Sequence, residues 1–93
     1  MPRFFIRVEL FRADGDEYEQ LHEKMAAIGF DKTVKFDDGK IYKLPIGSYM
    51  GLSNSNANTI RVKVCDISNP LSLGDAAVIV CEVSDWSAFL FQE

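Results

Sequence analysis

Cysteine and histidine are scarce in this chain, and their scarcity excludes several kinds of catalytic and metal site. The 93 residues include two cysteines and one histidine. Cys65 and Cys81 have neither zinc spacing nor the spacing of a redox pair, so we expect buried, reduced thiols. No second catalytic group is identifiable beside the histidine, His22. We therefore expect it at the border of a helix's buried face, with a general acid or base as the alternative.

Long apolar runs are also missing, and positive charge is missing from the last third of the chain. No stretch approaches the ~18 apolar residues of a membrane span, and residues 1–3 lead into a strand pattern without a signal-like apolar region. We therefore expect a cytoplasmic protein with no membrane partner. The net charge of −4 argues against a general nucleic-acid binder. No lysine or arginine follows Lys63, and the basic residues of the middle region are Lys32, Lys35, Lys40 and Lys43.

What is present fits one small domain that spans residues 1–93. About 47% of the residues are hydrophobic, which is enough for a modest core. A domain of this size buries only roughly 60 to 65% of its unfolded surface, so self-association would add useful burial. We therefore expect a homodimer.

The first predicted strand is apolar on nearly both of its faces. Phe4, Ile6, Val8 and Leu10 alternate with a second set that mixes aromatic and charged residues, namely Phe5, Arg7, Glu9 and Phe11. A strand that borders a single core does not need a second apolar face. This face should either be buried against a partner or ligand, or form the platform on which something binds.

A helix and a hairpin follow this strand. Residues 14–16 offer a turn and an N-cap, apolar residues recur at helical spacing from Tyr18 to Ile28, and Gly29 supplies a left-handed stop with Phe30 packing back. Residues 34–44 then indicate a hairpin around 37–39. Of two registers, we favour a three-residue loop with Gly39 left-handed. That register places on one face Val34, Phe36, Tyr42 and Leu44.

The second half of the chain is less clearly patterned. Residues 45–58 are rich in glycine, asparagine and serine, which predicts the longest irregular stretch and a binding loop. Residues 59–67 fit a strand or a helix, and topology favours a second helix ahead of a last strand at 76–83. The aromatic residues at 86–91 should cover a sheet edge or reach a partner.

Together these elements predict an α+β domain of the ferredoxin-like class, β-α-β-β-α-β, with an antiparallel sheet and two helices on one face. The other face of the sheet would be open and about half apolar. Its predicted members are Phe5, Arg7, Glu9, Phe11, Lys35, Ile41, Lys43, Val78 and Val80.

Three segments carry a resemblance to a known family. They are residues 3–10 (RFFIRVEL), residues 21–25 (LHEKM) with Gly29-Phe30, and residues 38–45 (DGKIYKLP). The chain resembles small bacterial proteins similar to the GhoS-type antitoxins. That resemblance implies a ferredoxin-like fold related to the small CRISPR adaptation nuclease, and endoribonuclease activity on a partner toxin's messenger RNA.

The resemblance also implies where a catalytic site would lie. In the CRISPR-associated relatives an aspartate at the end of the first strand lies near the dimer axis and takes part in metal binding. The matching place here holds Asp14 and Asp16, which become the catalytic candidates, with Asp14 as a ligand of Mg²⁺. The alternative is that both residues serve only as turn and helix-capping residues.

Two partners compete for the aromatic face of the first strand. Phe5 and Phe11 flank Arg7 as a stacking platform for single-stranded RNA would, with Arg12, Lys35 and Lys43 as further cationic candidates. The same residues would serve a face-to-face dimer. Glu9 favours the dimer, because a carboxylate in the middle of a phosphate-binding face is unfavourable for binding RNA. The function is therefore predicted as an RNA-cleaving regulator or as a non-catalytic module that binds a protein partner, such as an antitoxin or phage-type inhibitor.

Overall fold

A computed structural model describes all residues from Met1 to Glu93 and shows an α+β protein with two α-helices and two antiparallel sheets. The elements are β1 (Arg3–Glu9), α1 (Gly15–Ala27), β2 (Phe30–Asp31), β3 (Thr33–Lys35), β4 (Ile41–Lys43), β5 (Ser48–Leu52), α2 (Ala57–Ser68), β6 (Ala77–Val83) and β7 (Phe91–Gln92), with a 3₁₀ turn at Asn69–Leu71. Neither helix has the length and apolar composition that crossing a membrane requires.

The larger sheet has four strands in the order β2-β5-β1-β6. β1 lies at its centre, where Ile6 pairs with Tyr49 on one side and Val80 on the other. Both helices pack on the face of β1 that carries Phe4, Ile6 and Val8, because apolar side chains two residues apart share one face of a strand. The core also includes Leu21, Met25, Phe30, Tyr49, Ile60 and Val64.

The first helix begins and ends where the sequence predicts. The carboxylate of Asp14 accepts a hydrogen bond from the Asp16 backbone N–H at 3.0 Å and caps α1, and Gly29 follows the helix with φ +94°. The prediction of a helix in the ambiguous segment 59–67 is confirmed, since α2 spans it and the Asn56 side chain caps it.

The hairpin has the predicted register. Val34 pairs with Tyr42, the Phe36 N–H donates to the Lys40 carbonyl, and Gly39 is left-handed at φ +81°. The prediction that the two hairpin strands are the second and third strands of the main sheet, counted along the chain, is wrong. β3 and β4 form a separate sheet with the C-terminal strand, in the order β3-β4-β7, so Lys35 and Lys43 lie outside the main sheet.

The prediction that residues 45–58 are an irregular loop is also wrong. β5 lies inside the main sheet between β2 and β1, and Tyr49 is fully buried. The glycines of this segment allow neighbouring backbone to approach closely, and they do not mark a flexible loop. A Cβ on Gly51 would meet backbone atoms of Gly29.

The predicted membership of the open sheet face needs two further corrections. Because Val80 pairs with Ile6, Val78 and Val80 lie on the helix-covered face, and Ile79 lies on the open face beside Arg7. Phe11 lies beyond the end of β1, where its backbone N–H donates to the Ser72 hydroxyl at 2.8 Å.

The C-terminal segment covers part of this second face. A cavity of about 460 Å³ separates the segment 83–90 from Phe5, Met50 and Cys81, and the Arg3 guanidinium lies over the Trp86 ring at 5.9 Å. Met50 is buried as a result. The end of the chain also covers a sheet edge, as predicted, because β7 pairs with β4 at the edge of the smaller sheet.

Candidate functional site

The two aspartates predicted as catalytic lie in the exposed turn that precedes α1. Asp14 is the N-cap, and its carboxylate accepts the Asp16 backbone N–H. A hydrogen bond with the Glu17 carboxyl and then the Asp16 backbone N–H hold the pKa of Asp14 below its ordinary value. The same hydrogen bond raises the pKa of Glu17. Asp14 therefore acts in this structure as a capping residue.

This turn is not part of a cluster of metal-ligating side chains. The protein brings together no group of three or more histidine, cysteine, aspartate or glutamate side chains that could hold a metal ion. One carboxylate oxygen of Asp14 already accepts the backbone N–H of the cap. Because Mg²⁺ is usually bound by one or two carboxylates and keeps several waters, the Mg²⁺ site at Asp14 stays a prediction.

The residues predicted to bind RNA or a second copy lie on three parts of the fold. Phe5 and Arg7 lie on the main sheet, Phe11 and Arg12 lie in the loop after β1, and the lysines lie on the smaller sheet. Arg12 is exposed and adopts a left-handed backbone at φ +52°. The aromatic platform and the lysines therefore belong to different sheets, although Lys35 lines one groove with Arg3 and Met50 of the main sheet.

The cysteines are less buried than predicted. Cys65 is half-buried on α2, and Cys81 is exposed on β6. Because Cys81 pairs with Phe5 in the sheet register, its thiol belongs to the face beneath the C-terminal segment.

Several exposed apolar side chains lie together where the C-terminal segment meets the chain between β4 and β5. Phe89 is 87% exposed, Phe91 71% and Ile46 75%. The two phenylalanine rings lie edge to face with centroids 5.6 Å apart. A groove of about 350 Å³ runs between these parts of the chain. We call this the outer apolar surface, which comprises Leu44, Pro45, Ile46, Phe89, Leu90 and Phe91.

Basic residues border the outer apolar surface. Lys43 lines the groove and pairs directly with Phe91 in the sheet register. Lys35 shares the same face of the smaller sheet, because it pairs with Ile41, two residues from Lys43. Aromatic residues are enriched at the centre of protein interfaces, and polar residues surround them at the rim.

His22 forms a polar pair with the buried Tyr49. Its Nδ1 lies 2.7 Å from the Tyr49 hydroxyl, and the two rings are tilted with centroids 5.7 Å apart. Burial, followed by the charge of Lys32, lowers the pKa of His22, and burial raises that of Tyr49. The prediction that His22 lies at the border of the helix's buried face is confirmed, because it is half-buried beside Leu21.

Comparison with protein-family models, curated proteins and solved structures found no match for this chain. The resemblance to the GhoS-type antitoxins therefore stays a prediction. The function must be argued from the side chains that the fold brings together.

The sequence predicted the apolar tail at residues 86–91, but neither the exposure of Ile46 nor the partner of His22. Ile46 lies in the segment 45–58 that was predicted as a loop, and its side chain is exposed. Tyr49 was assigned to the same loop and is instead the partner of His22. The spacing of Phe89 and Phe91 was the available signal, since two large apolar residues two apart share one side of an extended segment.

Proposed function

We propose that this protein is a non-catalytic binding module that holds an apolar, acid-flanked segment of a protein partner on its outer apolar surface. One observation carries the proposal: Phe89, Phe91 and Ile46 are each at least 71% exposed and line one groove. Single exposed apolar side chains are ordinary, whereas contiguous ones mark interaction sites.

The energetics favour a partner for this surface. Burying one large apolar side chain contributes about 1.5 to 3 kcal/mol, and both phenylalanines keep most of their area in water. The two rings already pack edge to face, a favoured geometry for aromatic pairs, so a partner would meet a preformed aromatic pair. Aromatic residues in such positions commonly supply most of the binding energy of an interface.

The charge around the groove supports an acidic partner. Lys43 lies at the groove and Lys35 lies on the same sheet face, whereas Glu93 is the one acidic residue at the adjoining end of β7. A partner with aspartate or glutamate beside its apolar anchors would complement the lysines and gain in association rate. A second copy of this chain does not complement the surface in this way. It carries lysines beside its own Phe89, and those lysines would meet these lysines.

The proposal is tested with a displayed library of random peptides selected on the immobilised protein. We expect the selected peptides to carry one or two large apolar residues flanked by aspartate or glutamate. Replacing both phenylalanines, Phe89→Ser with Phe91→Ser, should weaken binding of a selected peptide about 100-fold, from about 1.4 kcal/mol for each ring. The matched control, Leu73→Ser, removes a leucine that is 64% exposed outside this surface and should bind like the parent.

Three outcomes would overturn the proposal. The first is selection of peptides without the apolar and acidic pattern. The second is peptide binding that the double substitution leaves intact. The third is a dimer in solution that the same double substitution converts to a monomer, which would assign the surface to a second copy of this chain.

The fold class belongs to the same proposal. The strand order β2-β5-β1-β6, with helices after β1 and β5, supports a ferredoxin-like arrangement. In this arrangement the hairpin of β3 and β4 would be inserted between the second and third strands of the fold.

RNA cleavage and a dimer through the open sheet face stay predictions. Incubation of total RNA with the protein, with and without Mg²⁺, tests the first. Asp14→Asn is a more specific test than Asp14→Ala. Asparagine still caps a helix, so the substitution removes the charge and keeps the cap. Cleavage by the parent that Asp14→Asn abolishes would restore the RNA hypothesis and displace the binding module.

A further inference from the structure

Strand β6 forms one edge of the main sheet and pairs only with β1. It has seven residues, whereas β2 at the opposite edge has two. Monomeric proteins commonly protect a long edge strand with lysine, proline or a bulge. β6 contains neither lysine nor proline, and its pairing with β1 is continuous from Ala77 to Val83. The strand therefore presents a long edge without these protections.

The register of β1 shows which backbone groups of β6 point outward. The Val8 N–H donates to the Gly47 carbonyl at 2.7 Å, so the even-numbered residues of β1 bond toward β5. Neighbouring residues of a strand bond in opposite directions, so the odd-numbered residues of β1 bond toward β6. Their partners are the odd-numbered residues of β6, as Phe5 pairs with Cys81. The even-numbered residues of β6 therefore direct their N–H and C=O groups away from the sheet.

Three residues of β6 hold these outward groups, namely Val78, Val80 and Glu82. Their N–H and C=O groups have no hydrogen-bond partner in the protein. Ala76, the preceding even-numbered residue, also bonds away from β1, because its N–H donates to the Asn69 side chain at 3.0 Å. Three N–H and three C=O groups in a row form a template on which another strand can pair.

The strand is complementary to a second copy of itself. Antiparallel pairing centred on Val80 opposes all seven residues and places Val78 opposite the partner's Glu82. Glu82 is the only charged residue of β6, and its two copies would stand four residues apart, about 13 Å along the strands. That separation exceeds the screening length of about 8 Å in physiological salt. Ile79, which is 57% exposed, would pack against the partner's Cys81.

We propose that this protein forms a two-fold symmetric dimer through β6, in which the two four-stranded sheets join into one continuous sheet. The three outward residues of each copy would exchange six hydrogen bonds in total, because each N–H donates to a carbonyl of the other copy. The proposal assigns the homodimer that we expect from the size of the domain to a strand edge instead of the open sheet face. The outer apolar surface contains no residue of β6, so the dimer would present it twice.

Glu82→Pro tests the edge, because proline removes the outward N–H at this position and no hydrogen bond to β1. One bond is lost in each copy, so dimerisation should weaken about 10- to 100-fold. The matched control is Glu82→Gln, which also removes the charge but keeps the N–H and should dimerise like the parent. Sedimentation equilibrium over a concentration series measures the dissociation constants, with a parent dimer of twice the 10.5 kDa chain mass. Circular dichroism checks that both variants are folded.

Disulfide formation tests the register in a Cys65→Ser background, where Cys81 is the only remaining thiol. Ile79→Cys would place a second thiol opposite the partner's Cys81. The two Cα atoms would be about 4.5 Å apart, which lies within disulfide range. Oxidised glutathione should therefore convert this variant to a covalent dimer. Ala77→Cys is the matched control, because it shifts the new thiol two residues along the strand and should leave the chains unlinked.

Four outcomes would overturn the proposal. The first is a parent that stays monomeric at millimolar concentration, and the second is equal dimerisation of folded Glu82→Pro and Glu82→Gln. The third is equal crosslinking of Ile79→Cys and Ala77→Cys, which decides the question alone if Glu82→Pro does not fold. The fourth is a dimer that Phe89→Ser with Phe91→Ser converts to a monomer, which would place the interface on the outer apolar surface. A parent that dimerises through β6 but binds no peptide would refute the proposed function alone.

Discussion

Replacing Gly51 by alanine should destabilise the protein strongly, because the neighbouring backbone occupies the space of the new methyl group. A Cβ at this position would meet the Gly29 carbonyl oxygen, with Phe30 Cδ1 at 2.7 Å and the Gly29 carbonyl carbon at 3.1 Å. Two of these three atoms belong to the backbone. They can move only if β2 and the end of α1 shift away from β5.

The magnitude follows from the kind of clash. Overpacking of an interior costs typically about 1 to 3 kcal/mol, and a clash with backbone belongs at the upper end of that range. A loss of about 2 to 3 kcal/mol in a domain of this length lowers the thermal midpoint by roughly 10 to 20 °C. The whole free energy of unfolding is only on the order of 5 to 14 kcal/mol, so the loss is easily measured.

Thermal and denaturant unfolding followed by circular dichroism measure the effect. The matched control is Gly15→Ala at the start of α1, where no atom lies within 4 Å of the new methyl group. That substitution should stabilise the protein by about 0.4 to 1 kcal/mol. A Gly51→Ala protein as stable as the parent would refute the position of β5 between β2 and β1.

The remaining predictions concern a helix cap and the titration of His22. Asn56→Ala removes the side chain that accepts the Thr59 N–H at 2.8 Å, so it should lower the unfolding free energy by about 1 kcal/mol, whereas Asn54→Ala should change it by less than about 0.5. Equal denaturation midpoints for these two variants would contradict the cap. Lys32→Ala should raise the pKa of His22 toward its ordinary value of about 6.5, which ring signals report directly; an unchanged pKa would show that the two residues do not interact. Because the folded-state pKa of His22 lies below that ordinary value, its contribution to stability is complete above about pH 6.5 and is lost as the pH falls toward the folded-state pKa. His22→Gln should therefore flatten the dependence of unfolding free energy on pH in that window, and an equally steep dependence would disprove the shift.

Local chemistry was sufficient to predict the first helix and the hairpin. Asp14 and Gly29 mark the two ends of α1 by capping and by a left-handed stop, and both effects act within a few residues. Gly39 likewise determines the register of its hairpin through a positive φ. The N-cap of α2 was present in the sequence as Asn56, but its signal lay in a stretch that composition marked as irregular.

The candidate sites depend on contacts between distant parts of the chain. β6 lies at an edge of the main sheet because its only partner is β1, at the other end of the chain. The sequence indicated a last strand at 76–83, but not that one side of this strand stays unpaired. It likewise indicated an apolar tail at Phe89 and Phe91 without showing that the tail leaves both rings exposed.

The sequence by itself determined the α+β class, the two helices, the hairpin register and the two-faced first strand, because capping, turn geometry and periodicity are properties of neighbouring residues. Only the tertiary structure decided that β5 enters the main sheet while the hairpin leaves it, since strand order depends on long-range pairing that periodicity does not encode. The same pairing decided which apolar residues remain in water. For that reason the outer apolar surface and the free edge of β6 became visible only in the folded chain.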